Sequence, residues 1–198
     1  MSLVTKQAPA FSEAAVLNKE FKNVSLEDYK GKWVVLFFYP MDFTFVCPTE
    51  ITSLSDANAE FTKRNTQIIG VSTDSKFSHL AWINTPRKEG GLGDIAYPLV
   101  ADFTKAIATD YGVLLEGGMA LRATFIIDPE GNVQFELIHS NSIGRNVTEI
   151  LRNVDALQFV AKHGEVCPAG WTPGKEVMTP DPEKMKDYYK NNPEGWQK

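Results

Sequence analysis

The feature that most constrains the fold is an uninterrupted apolar run from Trp33 to Met41. Its nine residues are mostly β-branched or aromatic, a composition typical of a strand buried on both faces of a sheet. A helix that crosses a bilayer needs roughly 20 apolar residues, so the run is not predicted to span a membrane. Pro40 ends the strand, and the apolar spacing that follows predicts a loop and then a helix from Cys47 to Arg64.

The rest of the chain alternates strand-like and helical patterns. The patterns predict strands over 67–72, 97–100, 123–128 and 132–139, and helices over 76–84, 104–111, 146–163 and 183–190. The sequence Asp128-Pro129-Glu130-Gly131 predicts a turn that makes the last two strands a hairpin. A β-α-β unit followed by β-β-α is an α/β, thioredoxin-like arrangement. We therefore predict one domain over 1–165 and a proline-containing C-terminal arm over 166–198.

Composition excludes several classes of function. The chain has 198 residues, and its 20 Lys and Arg against 25 Asp and Glu give a net charge of −5 without a long basic run. We therefore expect neither nucleic acid nor a membrane as a partner. The first eleven residues lack an apolar secretory segment, so the expected location is cytoplasmic. The two cysteines show no CxxC or metal-ligand spacing, so they are either inert or chemically active.

Cys47 lies where the predicted central strand leads into a helix, at the edge of the sheet where α/β proteins bind ligands. A thiol in the first turn of a helix experiences the positive end of the helix dipole, which favours the nucleophilic thiolate. A lone cysteine is more often a small buried core residue, and that alternative stays open on position alone. The spacing Pro40-x-x-x-Thr44-x-x-Cys47 adds a ring that excludes water and a hydroxyl that can reach the sulfur.

The segment FFYPMDFTFVCPTE around Cys47 resembles the active-site segment of peroxiredoxins. Five further segments follow in the family's order and resemble its typical two-cysteine subgroup, which includes the peroxidase component of alkyl hydroperoxide reductase: 81–87, 90–93, 121–128, 143–145 and 164–171. The resemblance implies a thioredoxin-like fold with peroxiredoxin additions, and a peroxidase that acts on hydrogen peroxide and organic hydroperoxides.

The resemblance also implies residue roles. Cys47 would be the peroxidatic cysteine and Cys167 the resolving cysteine, with Thr44, Arg122 and Pro40 in the pocket around Cys47. Cleavage of the peroxide O–O bond needs donors aimed at the departing oxyanion, and a guanidinium and a hydroxyl supply them. The product, a sulfenic acid, condenses with a second thiol to form a disulfide.

Glu50 and Arg145 would form a supporting charge network, with Trp82 packed beside it. On sequence alone, Arg122 and Arg145 are expected at the surface and Trp82 in the core, so their roles depend on the resemblance. The three histidines receive no role, because none has a recognisable partner.

The implied partners are a peroxide, an electron donor and further copies of the chain. A thioredoxin or a dedicated flavoprotein disulfide reductase would reduce the disulfide, which would join two subunits of a homodimer, and dimers would assemble into a decamer. The strand at 132–139 is the candidate dimer edge. No haem, flavin or metal site is recognisable, so no cofactor is expected.

Two rival functions, a CxxC-type thiol–disulfide oxidoreductase and a cysteine hydrolase, lack their motifs. A holdase role, in which the oligomer binds unfolded proteins, is compatible with catalysis.

Overall fold

The computed structural model describes residues 2–193. Within that range, seven strands form one sheet: β1 (Ser12–Leu17), β2 (Glu20–Ser25), β3 (Trp33–Phe38), β4 (Thr66–Ser72), β5 (Leu99–Ala101), β6 (Arg122–Ile127) and β7 (Val133–His139). The same range contains six α-helices: α1 (Cys47–Asp56), α2 (Asn58–Lys63), α3 (Lys76–Asn84), α4 (Ala106–Asp110), α5 (Val147–His163) and α6 (Met185–Asn191).

The strand order is β2-β1-β5-β4-β3-β6-β7. β3 pairs in parallel with β4, and β6 pairs antiparallel with both β3 and β7. Every residue of β3 and β6 is buried, which agrees with the central position predicted for the Trp33 run. The succession β3, α1–α2, β4 and then β6, β7, α5 is the predicted thioredoxin-like arrangement.

The N-terminal hairpin β1–β2 was not predicted from the sequence. Its turn uses Asn18 and Lys19 with φ angles of 53° and 63°, whereas the recognisable turns of this type carry glycine. β1 has only a weak alternation of apolar and polar residues, and it joins the sheet by pairing with β5.

The single helix predicted from Cys47 to Arg64 is also corrected. Ala57, at φ −86° and ψ 0°, ends α1, and α2 begins at Asn58. The apolar spacing continues across the break, so periodicity alone does not reveal it. The predicted hairpin at 128–131 is confirmed, with Gly131 at φ 90° closing the turn through its N–H to the Asp128 carbonyl.

The described residues divide into two compact units, with the division between Val147 and Thr148. The first unit contains the sheet and a core of aromatic and aliphatic side chains, including Leu36, Phe38 and Phe125. The second unit contains nearly all of α5, the segment around Cys167, and α6. This division lies directly after the first residue of α5, whereas the division at 165/166 drawn from the sequence follows the helix.

Candidate active site

Cys47 is the first residue of α1 and is fully buried. Pro48 occupies the first turn of the helix, where its missing N–H removes no intrahelical hydrogen bond. Val46 precedes the helix and provides no side-chain cap, so the N–H groups of the first turn are not satisfied by a capping side chain. The thiol is thus enclosed at the positive end of a helix.

Arg122, the first residue of β6, contacts this thiol. Its Nη1 lies 3.3 Å from the Cys47 Sγ, and only 3% of the residue is exposed. Asn141 orients Arg122 on both sides: the Asn141 carbonyl accepts from Nε at 2.9 Å, and the Asn141 side-chain oxygen accepts from the Arg122 backbone N–H at 3.0 Å. Sequence reasoning missed Asn141, because a lone asparagine in a loop gives no motif.

Glu50 links two arginines one helical turn after Cys47. Its Oε2 accepts from Arg122 Nη1 at 2.5 Å and from Arg145 Nη2 at 3.1 Å, while its Oε1 accepts from Arg145 Nε at 3.0 Å. Arg145 also donates to the carbonyls of Phe38 and Ala123, at the ends of two central strands. The three charged side chains are at most 4% exposed. The surface location expected for both arginines on sequence alone is therefore wrong.

The charge of this network is favourable for an anion. Burial lowers the pKa of Arg145, and the carboxylate of Glu50 opposes that effect. A guanidinium stays protonated in proteins, so two buried cations share one carboxylate. The network therefore has a net positive charge, and the Arg122 nitrogen that donates to Glu50 also contacts the Cys47 sulfur.

Pro40 and Thr44 lie in the loop before Cys47, and Trp82 packs against this loop. Pro40 is buried, and the Thr44 hydroxyl donates to the carbonyl of Met41 at 2.8 Å. In this geometry the Thr44 hydrogen points to the backbone, and the hydroxyl oxygen keeps its acceptor capacity. Trp82 is fully buried and packs on Phe43, with ring centroids 5.7 Å apart. The structure therefore places Trp82 against the loop that leads to the thiol.

A buried polar cluster anchors the same loop and was not predicted. The His79 Nδ1 lies 2.8 Å from Asp42 Oδ2, and the Tyr39 hydroxyl donates to Asp42 Oδ1 at 2.9 Å. The Asp42 backbone N–H donates to Asp74 at 2.9 Å, and burial raises the pKa of the Asp74 carboxyl, with the Asp42 charge adding to it. The sequence distance of 37 residues between Asp42 and His79 hides this pairing from motif reasoning.

Cys167 lies in the second unit. It is a free, partly exposed thiol whose Sγ is 3.9 Å from the carbonyl oxygen of Ala156 on α5. Trp171, four residues later, is 3% exposed and packs on Phe159 with ring centroids 5.1 Å apart. The arm around Cys167 is therefore an ordered turn on α5.

Residues 2–193 show neither a metal-ligand cluster nor a membrane-spanning helix. Across this range, no three side chains of the His, Cys, Asp and Glu types lie close enough together to hold a metal ion. In the same range, no helix combines the length and apolarity needed to cross a membrane.

Comparison with known proteins identifies the family. The model described as the AhpC/TSA family matches residues 4–136, and the model for the C-terminal domain of 1-Cys peroxiredoxin matches residues 156–192, which here include a second cysteine. The chain is 58% identical to "2-Cys peroxiredoxin BAS1, chloroplastic" of Hordeum vulgare, over 96% of this chain and 91% of that protein. It is 56% identical to the human "Thioredoxin-dependent peroxide reductase, mitochondrial", over 94% of this chain and 73% of that protein.

A solved structure extends the agreement to three dimensions. The reduced 2-Cys peroxiredoxin of Plasmodium vivax superposes with a TM-score of 0.94 at 46% identity, over 96% of this chain and 100% of that chain. The chain is more than half identical to the two relatives above, and its backbone matches the solved structure over nearly the full length. This chain therefore belongs to the AhpC/TSA family and, within it, to the 2-Cys peroxiredoxins.

Proposed function

We propose that this peroxiredoxin reduces hydrogen peroxide and organic hydroperoxides through Cys47. The Cys47 thiolate attacks one peroxide oxygen in line, the O–O bond breaks, and the second oxygen leaves with a proton as water or an alcohol. Cys47 is thereby oxidised to a sulfenic acid. The observation that carries the proposal is the 3.3 Å contact between the buried Arg122 guanidinium and the Cys47 sulfur.

Arg122 acts twice in this reaction. Before attack its charge stabilises the thiolate, and during attack its N–H groups are donors for the oxygen that becomes negative. The Glu50 carboxylate and Asn141 hold the guanidinium in place, so the donor is preorganised. Thr44 and Pro40 would complete the pocket, the hydroxyl as a hydrogen-bond partner for peroxide and the ring as a barrier to water.

Cys167 resolves the sulfenic acid. Its thiolate attacks the Cys47 sulfur, an S–S bond forms, the S–O bond breaks, and hydroxide leaves to become water. A Cα separation of about 7 Å or less is needed for such a bond, and Cys47 is enclosed in the first turn of α1. We therefore expect local unwinding at Cys47 before the disulfide forms. A thioredoxin-type dithiol would then reduce the bond, as the name of the human relative says of that protein, with a flavoprotein disulfide reductase as the alternative donor.

The test compares wild type with Cys47→Ser and Cys167→Ser after one equivalent of hydrogen peroxide, by non-reducing gel and intact mass. We expect a covalent dimer in wild type and none in either variant. A monomer that loses two hydrogens would mean an intrasubunit disulfide. An unmodified Cys47 would refute the peroxidase proposal.

Two surfaces of the first unit support a homodimer that assembles into a decamer. β7 is an edge strand of the sheet, and its Leu137 and Ile138 are about 40% exposed, so a second copy can pair there. The other surface is aromatic and lies where β3, β4 and β5 end: Phe43, Phe45, Phe77 and Phe103 are each more than half exposed. Exposed apolar patches of this kind mark association sites.

Sedimentation velocity distinguishes the two contacts. A Phe45→Asp variant is expected to sediment as a dimer, whereas a Leu137→Asp variant is expected to weaken the dimer itself. Wild type that remains a monomer at micromolar concentration would refute both. The cytoplasmic location stays a prediction, which fractionation of the source cells would check; the relatives include chloroplastic and mitochondrial proteins.

A further inference from the structure

The surroundings of Cys167 contain a charged side chain to which no role has yet been given. The Cys167 sulfur faces the carbonyl of Ala156 on α5. Arg152 precedes Ala156 by four residues, so the two lie on the same face of the helix, one turn apart. The thiol and the guanidinium therefore share one side of α5.

Arg152 is fixed by three groups, one of which is the Asn153 side-chain oxygen, which accepts from Nη2 at 3.1 Å. Its Nε and Nη2 each donate to the Glu149 carboxylate at 2.7 Å, and its Nη1 donates to the carbonyl of Trp171 at 3.1 Å. The Trp171 backbone N–H donates to the carbonyl of Pro168 at 3.1 Å, which closes the turn that begins directly after Cys167. The bidentate carboxylate contact restricts the orientation of the guanidinium. Arg152 thus fastens the Cys167 turn to the helix.

Two opposing effects act on the pKa of the Cys167 thiol. Burial raises the pKa of Cys167, and the positive charge of Arg152 lowers it. Glu149 is the counter-charge of Arg152 and weakens that effect. The other titratable groups of α5 and of the residues before the thiol are Asp155, Lys162, His163 and Glu165. Among these groups, Arg152 is the one whose charge lowers the pKa of the thiol.

We propose that Arg152 is a positioning residue for the resolving half of the cycle, which holds the Cys167 turn on α5 and places a positive charge beside the sulfur. The proposal depends on the resolving role of Cys167 given above. During condensation, Cys167 must attack as a thiolate. During reduction, a donor thiolate that attacks the Cys47 sulfur displaces Cys167, and the electron pair of the S–S bond leaves on Cys167. A nearby cation assists both steps, because thiolate is the reactant of the first and the leaving group of the second.

The first test uses the sign of two charge changes and needs no peroxidase activity. In a Cys47→Ser background, the rate of alkylation of Cys167 by iodoacetamide is measured against pH. Arg152→Gln is expected to move the midpoint to higher pH and to slow alkylation at pH 7 by about 3- to 10-fold. Glu149→Gln removes the counter-charge and is expected to move the midpoint to lower pH, while Arg152→Lys keeps the charge and stays near the parent protein.

A purely structural role predicts a different pattern. Both Gln variants break the same ion pair, so loosening of the turn alone would move both midpoints in the same direction. That result, or midpoints that do not change, would overturn the proposal. Because this assay lacks Cys47, its outcome is independent of whether the chain reduces peroxide.

The second test follows the complete enzyme by rapid mixing with hydrogen peroxide. We expect oxidation of Cys47 and formation of the disulfide to appear as successive phases of tryptophan fluorescence, because Trp82 packs against the loop before Cys47 and Trp171 lies four residues after Cys167. In Arg152→Gln we expect the slowdown to be confined to the second phase, with Arg152→Lys recovering most of the rate. A disulfide phase as fast as that of wild type would contradict the assignment, whereas a wild-type Cys47 that stays unmodified by intact mass after mixing would refute the proposed function instead.

Discussion

Replacement of Glu50 by glutamine tests whether the buried charge network holds the active site together. Glu50 receives hydrogen bonds from Arg122 and Arg145 through both carboxylate oxygens. A glutamine has the same shape but carries one acceptor oxygen and no charge. If that oxygen takes the place of Oε1, the bonds from the Arg145 backbone and Nε survive. The bonds from Arg122 Nη1 and Arg145 Nη2 to Oε2 are lost.

The expected cost follows from these contacts. Each lost hydrogen bond to a charged group is worth about 1.5 to 3 kcal/mol, so two such bonds amount to about 3 to 6 kcal/mol. Loss of one partner from a buried ion pair costs a similar amount, about 3 to 5 kcal/mol, because the remaining cations have no counter-charge. For a chain of this size, that is a decrease in melting temperature of about 6 to 20 °C.

The assay is urea unfolding of the reduced full chain, followed by tryptophan fluorescence, with Glu60→Gln as the matched control. Glu60 also contacts two cations, Lys63 and Arg64, but its side chain is 47% exposed, so no measurable change is expected there. We also expect Glu50→Gln to slow the reaction with peroxide, since Arg122 loses its orienting partner. Equal unfolding free energies for the two variants would refute the reasoning, because burial would then not distinguish them.

Two further predictions concern backbone space and pH. A Cβ at Gly91 would lie 2.0 Å from the carbonyl oxygen of Thr85, whereas a Cβ at Gly117 meets nothing within 4 Å. Gly91→Ala is therefore expected to lower the free energy of unfolding by about 3 kcal/mol or more, and Gly117→Ala to leave it almost unchanged. Equal melting temperatures of the two variants would contradict this. Because burial raises the pKa of the Cys167 thiol, only a small thiolate fraction exists at neutral pH. The rate of disulfide formation after a peroxide pulse should then rise almost tenfold per pH unit from about pH 6 to about pH 8, and a rate independent of pH would show that thiolate formation at Cys167 does not limit it.

The position of the thiol was predictable because it follows from local patterns. An apolar run of this length forms a buried strand, and a proline after Cys47 suits the first turn of a helix, so the cysteine had to lie at the end of a central strand. The structure confirms this placement, with Cys47 as the first residue of α1. The resemblance to peroxiredoxins added the second cysteine and the pocket residues, which local patterns cannot supply.

The burial of charge was not predictable in the same way. Arg122, Arg145 and Asp42 are hydrophilic residues that a sequence pattern assigns to the surface, and each is buried only because a partner distant in sequence compensates it. Such pairing depends on strand order, which places β3 between β4 and β6. Secondary-structure propensity and hydrophobic periodicity contain no information about which strands are neighbours in the sheet. Two local features were missed for a different reason. The break between α1 and α2 interrupts a continuous apolar spacing, and the turn of β1–β2 uses Asn18 and Lys19 where turns of this type usually carry glycine.

The two thiols differ in how exposed their cations are, and this difference predicts different responses to salt. The Arg122 and Glu50 side chains beside Cys47 are 4% and 2% exposed, whereas Arg152 and Glu149 near Cys167 are 26% and 48% exposed. An increase from about 0.1 M to about 1 M NaCl shortens the screening length from about 10 Å to about 3 Å, and it acts mainly on solvent-exposed charges. We therefore expect the rate of Cys47 oxidation to stay nearly constant, while disulfide formation slows by about twofold in wild type and changes little in Arg152→Gln. An equal salt dependence of both phases, or one that persists without Arg152, would mean that the partly exposed cation does not act on the second thiol.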